Sequence, residues 1–121
     1  MAELTVQEAV FTGLNFTYEN ASTGDVFDNE GKTFLVFLNG NASSRTLTIT
    51  GNAFSKPGFG DISAADAGET VTIPGSGTNG GRCIVGPFPM DRFNNSSGQV
   101  SYTLDSATGM TVAAVKLKGY A

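Results

Sequence analysis

The chain has 121 residues, a net charge of −4, 40% hydrophobic residues and 15% charged residues, which excludes disorder along its whole length and a basic stripe for nucleic acid. Its 16 Gly and 4 Pro interrupt the backbone too often for long helices. With no His, no Trp and a single Cys, the chain alone cannot assemble a Ser-His-Asp triad, a Cys-His pair, a His-ligated metal or an internal disulfide.

In chain order, residues 3–10 read as a strand or as an extended arm, within residues 1–20, that is ordered against a partner. Met1-Ala2-Glu3-Leu4-Thr5-Val6 lacks a basic segment followed by an apolar one, so the expectation is synthesis and folding in the cytoplasm of the producing cell. Asp25, Asp28 and Glu30 lie close together without the ligand spacing of a calcium loop and read as a solvated turn. Residues 32–38, with Phe34-Leu35-Val36-Phe37-Leu38 at the centre, are apolar on both faces, predicting a strand covered on both sides near the middle of the fold. That apolar run is far too short to span a membrane.

Arg45-Thr46-Leu47-Thr48-Ile49-Thr50 alternates cleanly, placing Leu47 and Ile49 on one face and threonines on the other. Ser63-Ala64-Ala65-Asp66-Ala67, closed by Gly68, is the best candidate for a helical turn. Thr70-Val71-Thr72-Ile73 and Gln99-Val100-Ser101-Tyr102-Thr103-Leu104 repeat the strand alternation, the latter with Val100, Tyr102 and Leu104 facing inward. In residues 110–118, Thr111, Ala113, Val115 and Leu117 share one face, and Met110, Val112, Ala114, Lys116 and Lys118 share the other. Turn-forming clusters separate these strands at spacings of about ten residues. The predicted fold is one all-β domain over residues 1–121, an antiparallel β-sandwich or barrel, jelly-roll-like or Ig-like, with at most one short helical turn.

Chemical motifs are few. Gly75-Ser76-Gly77-Thr78-Asn79-Gly80 has the spacing of a dinucleotide fingerprint, but it leads into the strand-like Cys83-Ile84-Val85, not into a helix, and reads as a flexible loop. Gly31-Lys32-Thr33 lacks the first glycine of a phosphate-binding loop and likewise enters a strand. No cofactor or metal is therefore expected. Asp61, Asp66, Glu69, Asp91 and Asp105 are acid-base candidates by type, yet no spacing selects a pair, so the expectation is that the protein is not an enzyme. Cys83 reads as a small buried side chain, not a reactive thiol.

Ile84-Val85-Gly86-Pro87-Phe88-Pro89-Met90-Asp91-Arg92-Phe93-Asn94 is the most unusual stretch. Two prolines flank Phe88 and favour an extended course, and Arg92 and Phe93 are types enriched at interface centres. Two readings follow. Either Phe88 and Phe93 plug the end of the sandwich while Arg92 pairs with a nearby acid, or the segment contacts a partner.

Three blocks carry a family resemblance: Asn29-Glu30-Gly31-Lys32-Thr33-Phe34-Leu35, then Ile84 to Pro89 with Arg92-Phe93-Asn94, then Thr108-Gly109-Met110-Thr111-Val112-Ala113-Ala114. Over residues 29–117 the chain resembles small structural proteins of tailed bacteriophages, of the capsid decoration, or cement, type. The resemblance implies a protein on the capsid surface of the virion that binds the major capsid protein shell and stabilises the head. It also implies a homo-oligomer, with a trimer at a threefold position as one form; the charge and the short apolar runs lead to the expectation of no nucleic-acid or membrane partner. Leu4, Val6, Phe88, Pro89, Arg92 and Phe93 are the expected contact residues. Another head-tail or tail component, or a carbohydrate- or cell-surface-binding module, are the alternatives.

Overall fold

The computed structural model describes residues 2–52, 54–56, 58, 60–63 and 68–117. Eleven strands are described: β1 (Val6–Ala9), β2 (Glu19–Asn20), β3 (Val26–Asp28), β4 (Thr33–Asn39), β5 (Arg45–Ile49), β6 (Phe54–Lys56), β7 (Gly60–Ile62), β8 (Glu69–Ile73), β9 (Arg82–Val85), β10 (Gln99–Leu104) and β11 (Met110–Leu117). One sheet has the order β1-β11-β4-β9, with β2 also on β11, and the other has the order β3-β10-β5-β8. β6 and β7 form a separate hairpin.

The pairing has a simple logic. The chain runs out through β3, β4, β5 and β6 and returns through β7, β8, β9 and β10. Each returning strand pairs antiparallel with its outgoing counterpart: β6 with β7, β5 with β8, β4 with β9, and β3 with β10. Because β3 and β5 lie in one sheet and β4 in the other, this doubled ribbon rolls into a sandwich, the pairing scheme of a jelly roll. β11 then adds to the free side of β4 in a seven-residue antiparallel register from Met110↔Asn39 to Lys116↔Thr33.

The alternation read from sequence explains what is buried. Leu47 and Ile49 of β5, Ile73 of β8, and Val100, Tyr102 and Leu104 of β10 face Leu35 and Phe37 of β4 and Met110, Val112 and Ala114 of β11. Phe37 meets the Tyr102 ring edge-on, with centroids 5.4 Å apart. Each such ring removes enough apolar area from water to stabilise the fold by roughly 1.5–3 kcal/mol. β4 is covered on both sides as predicted, because Val36 packs with Ala113 and Val115 in a second cluster on the far face of the same sheet. Ala9, Leu14, Tyr18 and Phe34 close over that cluster.

The amino-terminal segment supplies this cover, and it is not a free arm. Leu4 N donates to Val26 O at 2.8 Å and Val26 N to Ala2 O at 2.9 Å, so residues 2–4 lie along β3. β1 then crosses to the other sheet and pairs with β11 in parallel, from Val6↔Ala114 to Ala9↔Leu117. That parallel pair departs from the purely antiparallel expectation: a segment that starts against one sheet and must then cover the other reaches β11 already pointing along it.

Three further readings are corrected. The expected helical turn over residues 63–67 is not among them, since residues 64–67 lie outside the described residues; a four-residue turn, α1 (Met90–Phe93), forms in the stretch read as extended. Pro89 immediately precedes it, where a missing N–H costs nothing, and Phe93 N and Asn94 N donate to Pro89 O and Met90 O. The loop over residues 75–81 is seated, not loose. A Cβ on Gly75 would lie 2.2 Å from Ala42 O, and one on Gly81, at φ +74°, 2.2 Å from Asn39 O, so both glycines permit backbone contact. Finally, Asp25 is fully buried and not part of a solvated turn.

Candidate contact surface

The stretch singled out by its prolines closes one end of the sandwich. After the cis peptide Gly86-Pro87, Phe88 inserts between Phe27 and Phe93, with ring centroids at 5.5 and 5.7 Å. Asparagines hold it there. Asn29 Nδ2 donates to Phe88 O at 3.0 Å and to Asn94 Oδ1 at 2.7 Å, and Asn94 Nδ2 donates back to Asn29 O at 2.9 Å. Asn52 Nδ2 donates to Asn94 O, and Asn52 N to Arg92 O. Arg92 stacks on the Phe93 ring at 4.7 Å and pairs with Glu69 at 3.1 Å.

As contact residues, Leu4, Phe88 and Phe93 are therefore corrected. All three are buried within this chain, because apolar side chains at a sandwich end complete its own core before they can meet a partner. Val6 is half-buried against the same core, Arg92 is half-exposed, and Pro89 is exposed. An open cleft of about 230 Å³ remains beside them, lined in part by Ile49, Val85, Pro87 and the Arg92-Glu69 pair.

Of the other acidic candidates, Asp25 and Asp105 hold structure together, while Asp66 and the side chain of Asp61 lie outside the described residues. Asp25 accepts from Ala2 N and Ser22 N, each at 2.8 Å, and from the Tyr102 hydroxyl at 2.6 Å. Burial, reinforced by that hydrogen bond to the carboxylate, pushes the Tyr102 phenol far up, so it stays a donor. Asp105 accepts from Thr46 N at 3.0 Å and Ser106 N at 2.9 Å. Among the described residues no group of three or more His, Cys, Asp or Glu is placed to hold a metal ion, and no helix is long and apolar enough to cross a membrane.

Cys83 sits half-buried on β9 against the core, and burial pushes its thiol up. Since the thiolate is the attacking species, iodoacetamide at neutral pH is expected to label Cys83 more slowly in the folded chain than in urea. The folded rate should climb only once the pH passes the usual thiol range near ~8.5. Equal rates in the two states would contradict the burial.

What sequence reading missed is the outer face of the β1-β11-β4-β9 sheet. Ile84 is 68% exposed and pairs in register with Val36, which belongs to the outer cluster. Leu117 is 51% exposed and follows Ala113 and Val115 on the same face by strand alternation. Phe16 meets Tyr18 edge-on at 5.3 Å in the segment covering that face, and Phe11, 88% exposed, lies on the turn after β1. Four of the five exposed large hydrophobic side chains among the described residues thus gather on this sheet face or on the segment laid over it. The available signal was Ile84 itself, in the strand-like Cys83-Ile84-Val85, but three apolar residues in a row do not say which of them faces outward. No protein family, no curated protein and no solved structure matches this chain.

Proposed function

We propose that the protein is a bacteriophage capsid decoration protein whose outer sheet face binds the major capsid protein shell and stabilises the head. The observation that carries this reading is the set of exposed apolar side chains Ile84 and Leu117 on the outer sheet face and Phe11 and Phe16 on the segment laid over it. Apolar residues gathered on a face mark an association surface. The choice of partner rests on the resemblance of three sequence blocks, in their order along the chain, to small structural proteins of tailed phages. Repetition over a lattice suits a modest surface, since many weak contacts combine into firm attachment.

The test is copy number and heat resistance of purified particles. The expected result is that the protein co-purifies in large excess over any connector and that heads lacking it fail at a lower temperature. Absence from particles, a connector-like ratio, or unchanged heat resistance would overturn the reading. Within that experiment, Ile84→Ser combined with Leu117→Ser is expected to strip the protein from heads while lowering its own stability by less than about 1 kcal/mol, as for exposed strand positions. Retention of the variant at wild-type occupancy would move the contact off this face.

A further inference from the structure

The chain contains two Asn-Gly pairs, Asn39-Gly40 and Asn79-Gly80, and the fold treats them oppositely. We propose that Asn79 is a site of spontaneous deamidation in the folded protein and that Asn39 is protected by its hydrogen bonds. In this reaction the backbone nitrogen of the following residue attacks the asparagine Cγ. The Cγ–Nδ2 bond breaks, and ammonia leaves carrying the proton released by the attacking nitrogen. Water then opens the cyclic imide at either carbonyl, giving aspartate or isoaspartate. Glycine in the following position favours the attack because no side chain shields its nitrogen.

Asn79 is exposed, and its side-chain amide makes no hydrogen bond to a described residue. Around Gly80 the space is open: a Cβ there would meet nothing nearer than the flexible tip of Arg82, at 3.6 Å. Asn39 has the opposite surroundings. Its side chain is fully buried, Nδ2 donates to Ser43 O at 2.9 Å and to Pro74 O at 3.1 Å, and Oδ1 accepts from Asn41 N at 2.9 Å. The would-be nucleophile, Gly40 N, donates to Gly109 O at 3.0 Å. Reaction at Asn39 therefore requires at least four hydrogen bonds to open together, whereas at Asn79 the side-chain amide is free to move and what must give is the exposed 3-10 turn over Asn79–Gly81, closed by Gly81 N on Thr78 O at 2.9 Å. Conversion of Asn79 places a new carboxylate three positions before Arg82, which with Ile84 lies on the outward row of β9.

The test is peptide mass spectrometry, with isoaspartate-specific methylation as a second readout, on folded protein held in warm, mildly alkaline buffer. Conversion at Asn79 is expected to exceed that at Asn39 by at least about a hundredfold, equivalent to roughly 2.7 kcal/mol of additional opening at Asn39. In denaturant the two sites should convert at comparable rates, since both are Asn-Gly. Asn79→Gly, which suits the positive φ of 51° at this position, should keep the fold and abolish the more acidic species on ion exchange. Comparable conversion of both sites in the folded chain, or an inert Asn79 in folded protein when the unfolded chain reacts, would overturn the proposal.

Discussion

Replacing Asp25 by Ala is expected to destabilise the protein by about 3–5 kcal/mol, reckoned as ~1–3 kcal/mol for each stranded donor less what entering water recovers. Three donors converge on this fully buried carboxylate: Ala2 N, Ser22 N and the Tyr102 hydroxyl. Each comes from a different part of the chain, so the loss is felt in the amino-terminal segment, in the turn before β3 and in the centre of β10 at once. Tyr102→Phe should cost less, roughly 1.5–3 kcal/mol for a hydrogen bond to a charged group, because Asp25 keeps its two backbone donors. Urea unfolding should show a lower midpoint at unchanged slope for both variants. The double variant should fall short of the sum, as expected for side chains in direct contact. A midpoint for Asp25→Ala close to that of the parent would mean that the carboxylate does not hold these elements together.

Phe88→Ala is expected to cost about 3–5 kcal/mol, the range for emptying an aromatic core position. Phe88 is buried between Phe27 and Phe93, and its own carbonyl anchors Asn29, so the cavity cannot close by moving the backbone inward without breaking that bond. Pro89→Ala, one residue further on but exposed, should change stability by less than about 1 kcal/mol, chiefly through the freedom of the unfolded chain. The contrast decides between the two readings of the segment. A core plug gives a large loss of thermal or urea stability at Phe88 alone, whereas a contact loop would leave both variants as stable as the parent.

Strands whose apolar residues alternate, or run continuously, were legible. β4, β5, β8, β10 and β11 stand where Phe37, Leu47, Ile73, Tyr102 and Val112 announce them, because burying one face imposes a period of two on the side chains. The partners of those strands were not legible. Nothing local in Val6-Gln7-Glu8-Ala9 says that it pairs with β11 near the far end of the chain and not with its neighbours. Polar residues misled for a related reason. Asp25, Asn29 and Asn39 look like turn formers in sequence, and they are indeed near turns, but their buried side chains tie distant segments together. Whether a short polar side chain meets water or a carbonyl from elsewhere depends on long-range packing. The same limit applied to the candidate surface: Phe88 and Phe93 are of interface type but lie inside, while Ile84 is of core type and lies outside.

The parallel register of β1 on β11 also bears on how the molecule is made. Val6 must find Ala114, 108 positions later in the chain. At ribosomal rates the first strand waits about 5–20 s before its docking site has been synthesised. During that interval Ala9, Leu14 and Tyr18 have no completed sheet to cover, and the outer cluster on β4 has no lid. The doubled ribbon of β3 to β10 can roll up first, with its hairpin as the nearest-neighbour start, and the earliest residues to emerge are then the last to find their place. Vectorial synthesis and native topology run in opposite order here, so nascent chains stalled before residue 110 should be the ones most prone to associate through this segment.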